Sequence, residues 1–220
     1  MQLRTRPPRQ GYLVSFDHWW IGLFVDEAGY ERLKPAFAAA AGQAVLSPQS
    51  EQAIAAWRNH PSDFDQGAAP RSSETEDEPR RFIWAFNLPG FVELAEQLFV
   101  NGGKFTEFLV EEEFFTIAMC ARRTPVSILW QALGYQRASL LPGRMGNLLL
   151  HPREIEDARE KTRRAYAGTS PQDLLDAARR YCSWDVYDDG LREVLDFLPD
   201  GLARAAERQR GFLALARPQI

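Results

Sequence analysis

The stretch Gly146–Ala216 opens Gly146-Asn-Leu-Leu-Leu-His-Pro-Arg-Glu154 and closes Gly211-Phe-Leu-Ala-Leu-Ala216. It reads as a series of capped helices ending on a short apolar strand. Pro152 opens a helix with Ile155, Ala158, Thr162 and Ala165 on one face. Ser170-Pro171 opens the next, over 171–182, with Leu174, Ala178 and Tyr181 at the same spacing. The Ser170 hydroxyl can accept an orphan backbone N–H there, and proline's missing donor costs nothing at the first helical position. Asp188 and Asp189 can cap a third helix, with Leu191, Val194, Leu195 and Leu198 inward. Pro199 interrupts it, yet Leu202, Ala205 and Ala206 keep the phase, so a kinked helix or two nearly collinear ones fit. Gly211 ends it, and the last strand pairs with an earlier one. Strands and helices segregated in this way predict an α+β fold, helix-rich, with a small, mostly antiparallel sheet.

Working towards the N-terminus, Ser47-Pro48 and Thr124-Pro125 repeat the hydroxyl-proline device and predict helices over 48–59 and 125–133, the latter stopped by Gly134. Asn87 and Pro89 frame a helix over 89–100 striped by Phe91, Leu94, Ala95, Leu98 and Phe99, with Asn101-Gly102-Gly103 as its stop. Residues 28–41 are helical in composition, with Pro35 beginning, kinking or breaking the helix. Gly11–Val25, rich in β-branched and aromatic residues, reads as one long strand or a hairpin. Glu113–Ala121 reads as a strand, with a short helix as the alternative. Arg81–Phe86 also reads as a strand, whose alternation would place Phe82, Trp84 and Phe86 on one face. Residues 1–10 are polar and Pro-containing, a loose arm. Residues 63–80 form an acidic loop or linker, dividing the chain into an N-terminal region, 1–62, and a helical domain, 81–220, or lying within one continuous domain, 11–220.

At 220 residues, 45% hydrophobic and 25% charged, the chain has an ordinary globular composition. A net charge of −4 argues against a general nucleic-acid binder. No run approaches a membrane span in length. No apolar signal core follows Arg4, Arg6 and Arg9, so the chain reads as cytoplasmic, with no membrane partner. Cys120 and Cys182 sit among apolar or aromatic neighbours and read as buried free thiols.

Candidate chemistry is sparse. His18, His60 and His151 lack second ligands at metal spacing, and all three read as structural or solvent-exposed, with no metal site. No nucleophile elbow or Cys-His context is present, so no catalytic residue is assigned and no cofactor is expected. Gly143-Arg-Met-Gly146-Asn147 lacks the Lys-Ser/Thr of a phosphate loop and reads as a turn that needs glycine at positive φ. Arg144 and Asn147 are its candidate ligand-facing residues. Charge is localised: residues 63–79 carry six acidic side chains against Arg71, and residues 91–113 carry six against Lys104, each a net −5. Glu107, Glu111, Glu112 and Glu113, with Trp84, Arg144 and Asn147, form the candidate partner-binding set.

The order from Gly146 onward carries a family likeness. The apolar Leu148–Leu150, the helix opened by His151-Pro-Arg-Glu154 and the helix opened by Ser170-Pro-Gln-Asp173 come first. The link Trp184-Asp-Val-Tyr-Asp-Asp189, a long helix and Gly211-Phe-Leu-Ala-Leu follow. This resembles the C-terminal half of the YfbM-like family, small bacterial α+β proteins of unknown function, and Trp130-Gln-Ala-Leu echoes that family's Trp-containing helix. The resemblance covers a third to a half of the chain and supplies no catalytic residues. It implies a soluble bacterial α+β protein of a kind met near secreted toxins.

The leading functional expectation is a non-enzymatic cytosolic protein that binds another protein, most specifically an immunity protein neutralising a cognate toxin with a basic surface. The acidic and aromatic segment from Ser62 to Arg123 is then the recognition surface, and the C-terminal third is scaffold. The second expectation is a small-molecule-binding protein or enzyme with a polar pocket near His18, Arg144 and Asn147. A homo-oligomeric scaffold is the third.

Overall fold

A computed structural model describes residues 17–65, 78–99, 115–121, 123–182 and 188–218. Its spine is a four-stranded antiparallel sheet in the order β2-β1-β4-β3. The strands are β1 (Asp17–Val25), β2 (Phe115–Ala121), β3 (Leu148–Leu150) and β4 (Gly211–Pro218). The fold is therefore α+β with a small antiparallel sheet. The C-terminal strand lies inside the sheet, between β1 and β3, with Trp20 opposite Ala216 and Leu213 opposite Leu149.

Both faces of β1 and β4 are covered, which is why these strands read as near-continuous apolar runs. One face carries Trp20, Phe24, Phe212, Ala214 and Ala216 into the larger core. Helices α2 (Pro48–Asn59), α3 (Glu78–Trp84), α5 (Pro125–Leu133), α7 (Ile155–Tyr166), α8 (Pro171–Tyr181) and α9 (Asp188–Glu207) supply most of the rest of that core. The opposite face carries Leu23, Val25, Leu213 and Leu215 against α1 (Glu27–Gln43) and α4 (Pro89–Phe99). A single-turn α6 (Tyr135–Ala138) follows α5. The larger core draws on residues from both sides of residue 62, including Trp20, Trp57, Leu129 and Leu202. No described helix is long and apolar enough to cross a membrane.

All three hydroxyl-proline caps form as their chemistry dictates. Ser47, Thr124 and Ser170 accept from the N–H groups of Ser50, Ser127 and Asp173. Gly134 closes α5 at φ 74°. The apolar stripe of α7 buries Ile155, Ala158, Thr162 and Ala165.

One expectation is corrected. Arg81–Phe86 is no strand: the chain is helical over Glu78–Trp84 and turns at 85–86. A six-residue apolar run fits either period, and here packing decides. Helical spacing sends Phe82, Ile83 and Phe86 inward together, with Phe82 stacked on Trp57 at 4.8 Å and edge-on to Phe64 at 5.3 Å. Trp84 is left pointing out. Of the alternatives open for the two prolines, a single helix containing the proline is the one that forms. Pro35 lies within α1, on a stretch where it and Glu31, whose carbonyl it deprives of a donor, are both exposed. Pro199 lies within α9, and the Leu195 carbonyl it leaves unbonded accepts the Tyr166 hydroxyl at 2.6 Å.

Candidate functional site

Of the expected partner-binding set, Trp84 and Arg144 are the members that are exposed among the described residues. The Trp84 side chain ends α3 and is 52% exposed; among the described residues the other large exposed apolar side chains are Val45 and Leu140. Trp84 has one ring neighbour among the described residues. Its ring meets His18 edge-on, 5.9 Å between centroids, and His18 is buried on β1. Two residues back, on the opposite side of the helix, Phe82 is locked among Trp57, Phe64, Phe86 and Tyr181.

The turn at 143–147 is built as its glycines require. Arg144 and Asn147 exchange both backbone hydrogen bonds, at 2.8 and 3.0 Å, across Met145 (φ 50°) and Gly146 (φ 83°). Two positive φ values in succession mark a primed hairpin turn. Arg144 is exposed, and its guanidinium reaches the Ala41 carbonyl at 3.5 Å. Asn147 does not face a ligand. It is 0% exposed, its amide nitrogen donates to the carbonyls of Arg144 and Met145, and its Oδ1 accepts from the Ala216 N–H at 2.9 Å. The side chain is spent tying the turn to β4. Asn147→Ala should destabilise the fold by about 2–3 kcal/mol, because the buried Ala216 N–H loses its acceptor. A urea titration checks this, and a loss under about 0.5 kcal/mol would contradict the role.

The remaining predicted residues divide simply. Glu107, Glu111, Glu112 and Glu113 lie outside the described residues. His60 caps α2 through its backbone. His151 caps the 3-10 turn Pro152–Glu154, its Nδ1 accepting from the Arg153 N–H and its own N–H donating to Glu154. Its Nε2 lies 3.5 Å from Glu27. Among the described residues no cluster of His, Cys, Asp and Glu could hold a metal. Burial pushes the Cys182 thiol up to about 12 against the opposing influence of Arg123, so it is a poor nucleophile.

The C-terminal helices hold a feature that the scaffold reading of this region missed. Helices α7 and α8 both pack against α9 but scarcely against each other, and the gap between them is a half-open cavity of about 760 Å³. Leu174, Leu195, Pro199 and Leu202 line it, with the Tyr166 ring. Thr162 lines it as well. It is 3% exposed, and its hydroxyl has no hydrogen-bond partner. Charges stand at the rim in pairs, Arg159 with Glu156 at 2.8 Å and Arg163 with Glu160 at 2.7 Å. The hydrogen bond from Arg163 holds the Glu160 carboxyl below its usual value. Asp196 is shifted the other way, first by burial and then by Asp200, with Arg192 opposing. One sequence signal pointed here: Thr162 is the hydroxyl in an otherwise apolar helical stripe.

No family model, curated protein or solved structure matches this chain.

Proposed function

We propose that this protein is a non-enzymatic binding protein of the bacterial cytosol that recognises another protein, in its most specific form an immunity protein that neutralises a cognate toxin. The observation that carries the reading is Trp84: a large aromatic side chain, half exposed, at the end of a helix whose other aromatic, Phe82, is locked in the core. Tryptophan is the residue type most enriched among those that dominate binding energy at protein interfaces. The charge map supports the polarity of the partner. Residues 63–79 precede and enter α3, residues 91–113 follow it, and each segment carries a net −5. A basic partner surface would be steered towards such a region.

Co-purification with the product of the neighbouring gene tests the proposal. A retained protein, together with greater sensitivity to that protein's toxicity when this chain is deleted, is the expected result. Recovery of no protein, with sensitivity unchanged on deletion, would remove the proposal.

A further inference from the structure

We propose that the pocket between the 139–143 loop and the second half of α7 binds a small phosphate monoester. Lys161 and Arg164 hold its phosphate, and its organic part rests on Leu140 and Leu141. The pocket has a volume of about 390 Å³, within the range of small-ligand sites. Leu140, Leu141, Pro142 and Gly143 line it from the loop, and Lys161 and Arg164 line it from α7.

The sign of the ligand's charge follows from the walls. Lys161 and Arg164 stand three residues apart on α7, which puts them on one side of the helix. Among the described residues no carboxylate lines this pocket, whereas the gap between α7, α8 and α9 is lined by both signs. A cleft lined by one sign of charge, with apolar walls, concentrates ions of the other sign.

The two cations are also available. Arg159 and Arg163, their neighbours on α7, are each bound by a carboxylate one turn back, Glu156 at 2.8 Å and Glu160 at 2.7 Å. The Arg164 guanidinium has no ion pair or hydrogen bond among the described residues. It acts on Glu160 through its charge alone, and Glu160 is already held by two hydrogen bonds from Arg163. Lys161 meets Asp157 at 2.7 Å, with the two side chains 50% and 70% exposed. An exposed pair of this kind is weak, so Lys161 is free to turn to a dianion.

The donors select a phosphate. A guanidinium offers a planar fork of N–H groups and an ammonium a compact point charge, and a phosphate dianion has the oxygens and the charge to use both. A monocarboxylate has one charge for two cations. Ser139 also lines the pocket, but its hydroxyl proton goes to the Gln136 carbonyl at 2.9 Å. The N–H groups of Ser139, Leu140 and Leu141 are spent on carbonyls of α6, and Pro142 has none. Recognition therefore falls to the two cations.

The test uses the full chain at about pH 8, where a phosphate monoester carries both charges. Ionic strength is held constant, and the probes are phenyl phosphate, inorganic phosphate and benzoate. Binding is read by calorimetry. Phenyl phosphate is expected to bind roughly tenfold more tightly than benzoate, and more tightly than inorganic phosphate, which leaves Leu140 and Leu141 uncovered. Arg164→Gln should weaken phenyl phosphate roughly tenfold, and adding Lys161→Gln should abolish binding. Arg159→Gln removes the same charge from another side of α7 and should stay within about twofold of wild type. That control separates a site from a general effect of net charge. The inference is overturned if phenyl phosphate does not bind, or if benzoate or inorganic phosphate binds as tightly. It is also overturned if Arg164→Gln leaves the affinity unchanged or Arg159→Gln weakens it equally.

Discussion

Trp20→Ala is expected to remove about 4–5 kcal/mol of folding stability, much of what a domain of ordinary stability has. Trp20 sits on β1, a strand bonded on both sides, opposite Ala118 on β2 and Ala216 on β4. Its side chain is 0% exposed and stacks on Phe197 of α9 at 4.1 Å. The indole N–H donates to the Gly146 carbonyl at 2.8 Å. One side chain therefore joins the sheet, the longest helix of the C-terminal part and the hairpin turn that leads into β3. Truncation opens a cavity at that junction and orphans a buried carbonyl. Trp20→Phe keeps most of the apolar contact and loses the hydrogen bond, so it should cost about 1–2 kcal/mol. Urea denaturation separates the two variants, and a Trp20→Ala loss under about 2 kcal/mol would show that the junction repacks.

Gly90→Ala is expected to cost about 2–3 kcal/mol, against the usual benefit of alanine in a helix. Gly90 lies in the first turn of α4, where α4 crosses α1. A Cβ there would stand 2.3 Å from the Ala40 carbonyl oxygen and 3.0 Å from the Ala40 carbonyl carbon and Cα. These are backbone atoms, so no rotamer change can make room, and the two helices must separate. That would loosen the layer that covers Leu23, Val25, Leu213 and Leu215 on the sheet. Gly42 in α1 provides the contrast: nothing lies within 4 Å of its added Cβ. Gly42→Ala should stabilise by about 0.5–1 kcal/mol. Shifts in the same direction for both variants would contradict the close crossing of α1 and α4.

The parts of this fold that were legible in the sequence are those in which local chemistry and tertiary packing agree. Ser47, Thr124 and Ser170 each precede a proline, and a hydroxyl before a helix-opening proline has few other uses. The final strand was legible because Gly211 ends a helical period and five apolar residues follow it. Arg81–Phe86 was misread because Phe82, Trp84 and Phe86 satisfy a period of two, while Phe82 and Phe86 equally satisfy a helical turn. Trp57 and Phe64, distant in sequence, settle the choice. Asn147 carried no mark separating a ligand-facing amide from a structural one; that difference lies in Ala216, on a strand reached only through tertiary pairing. The cavity of the C-terminal helices is a space between elements, not a property of any one of them, and no single segment announces it. Its trace in the sequence was one hydroxyl among the inward positions of α7.

The central claim is recognition through Trp84, and the affinity of the co-purified partner for Trp84→Ala tests it most directly. The substitution should leave the fold nearly intact, since the ring is half exposed and its described aromatic contact is the edge of His18. Calorimetry should give about a thirtyfold weaker complex, or about 2 kcal/mol. Val45→Ala, the control at another exposed apolar side chain, should stay within about twofold of wild type. A Trp84→Ala protein that binds its partner as tightly as wild type would contradict the account.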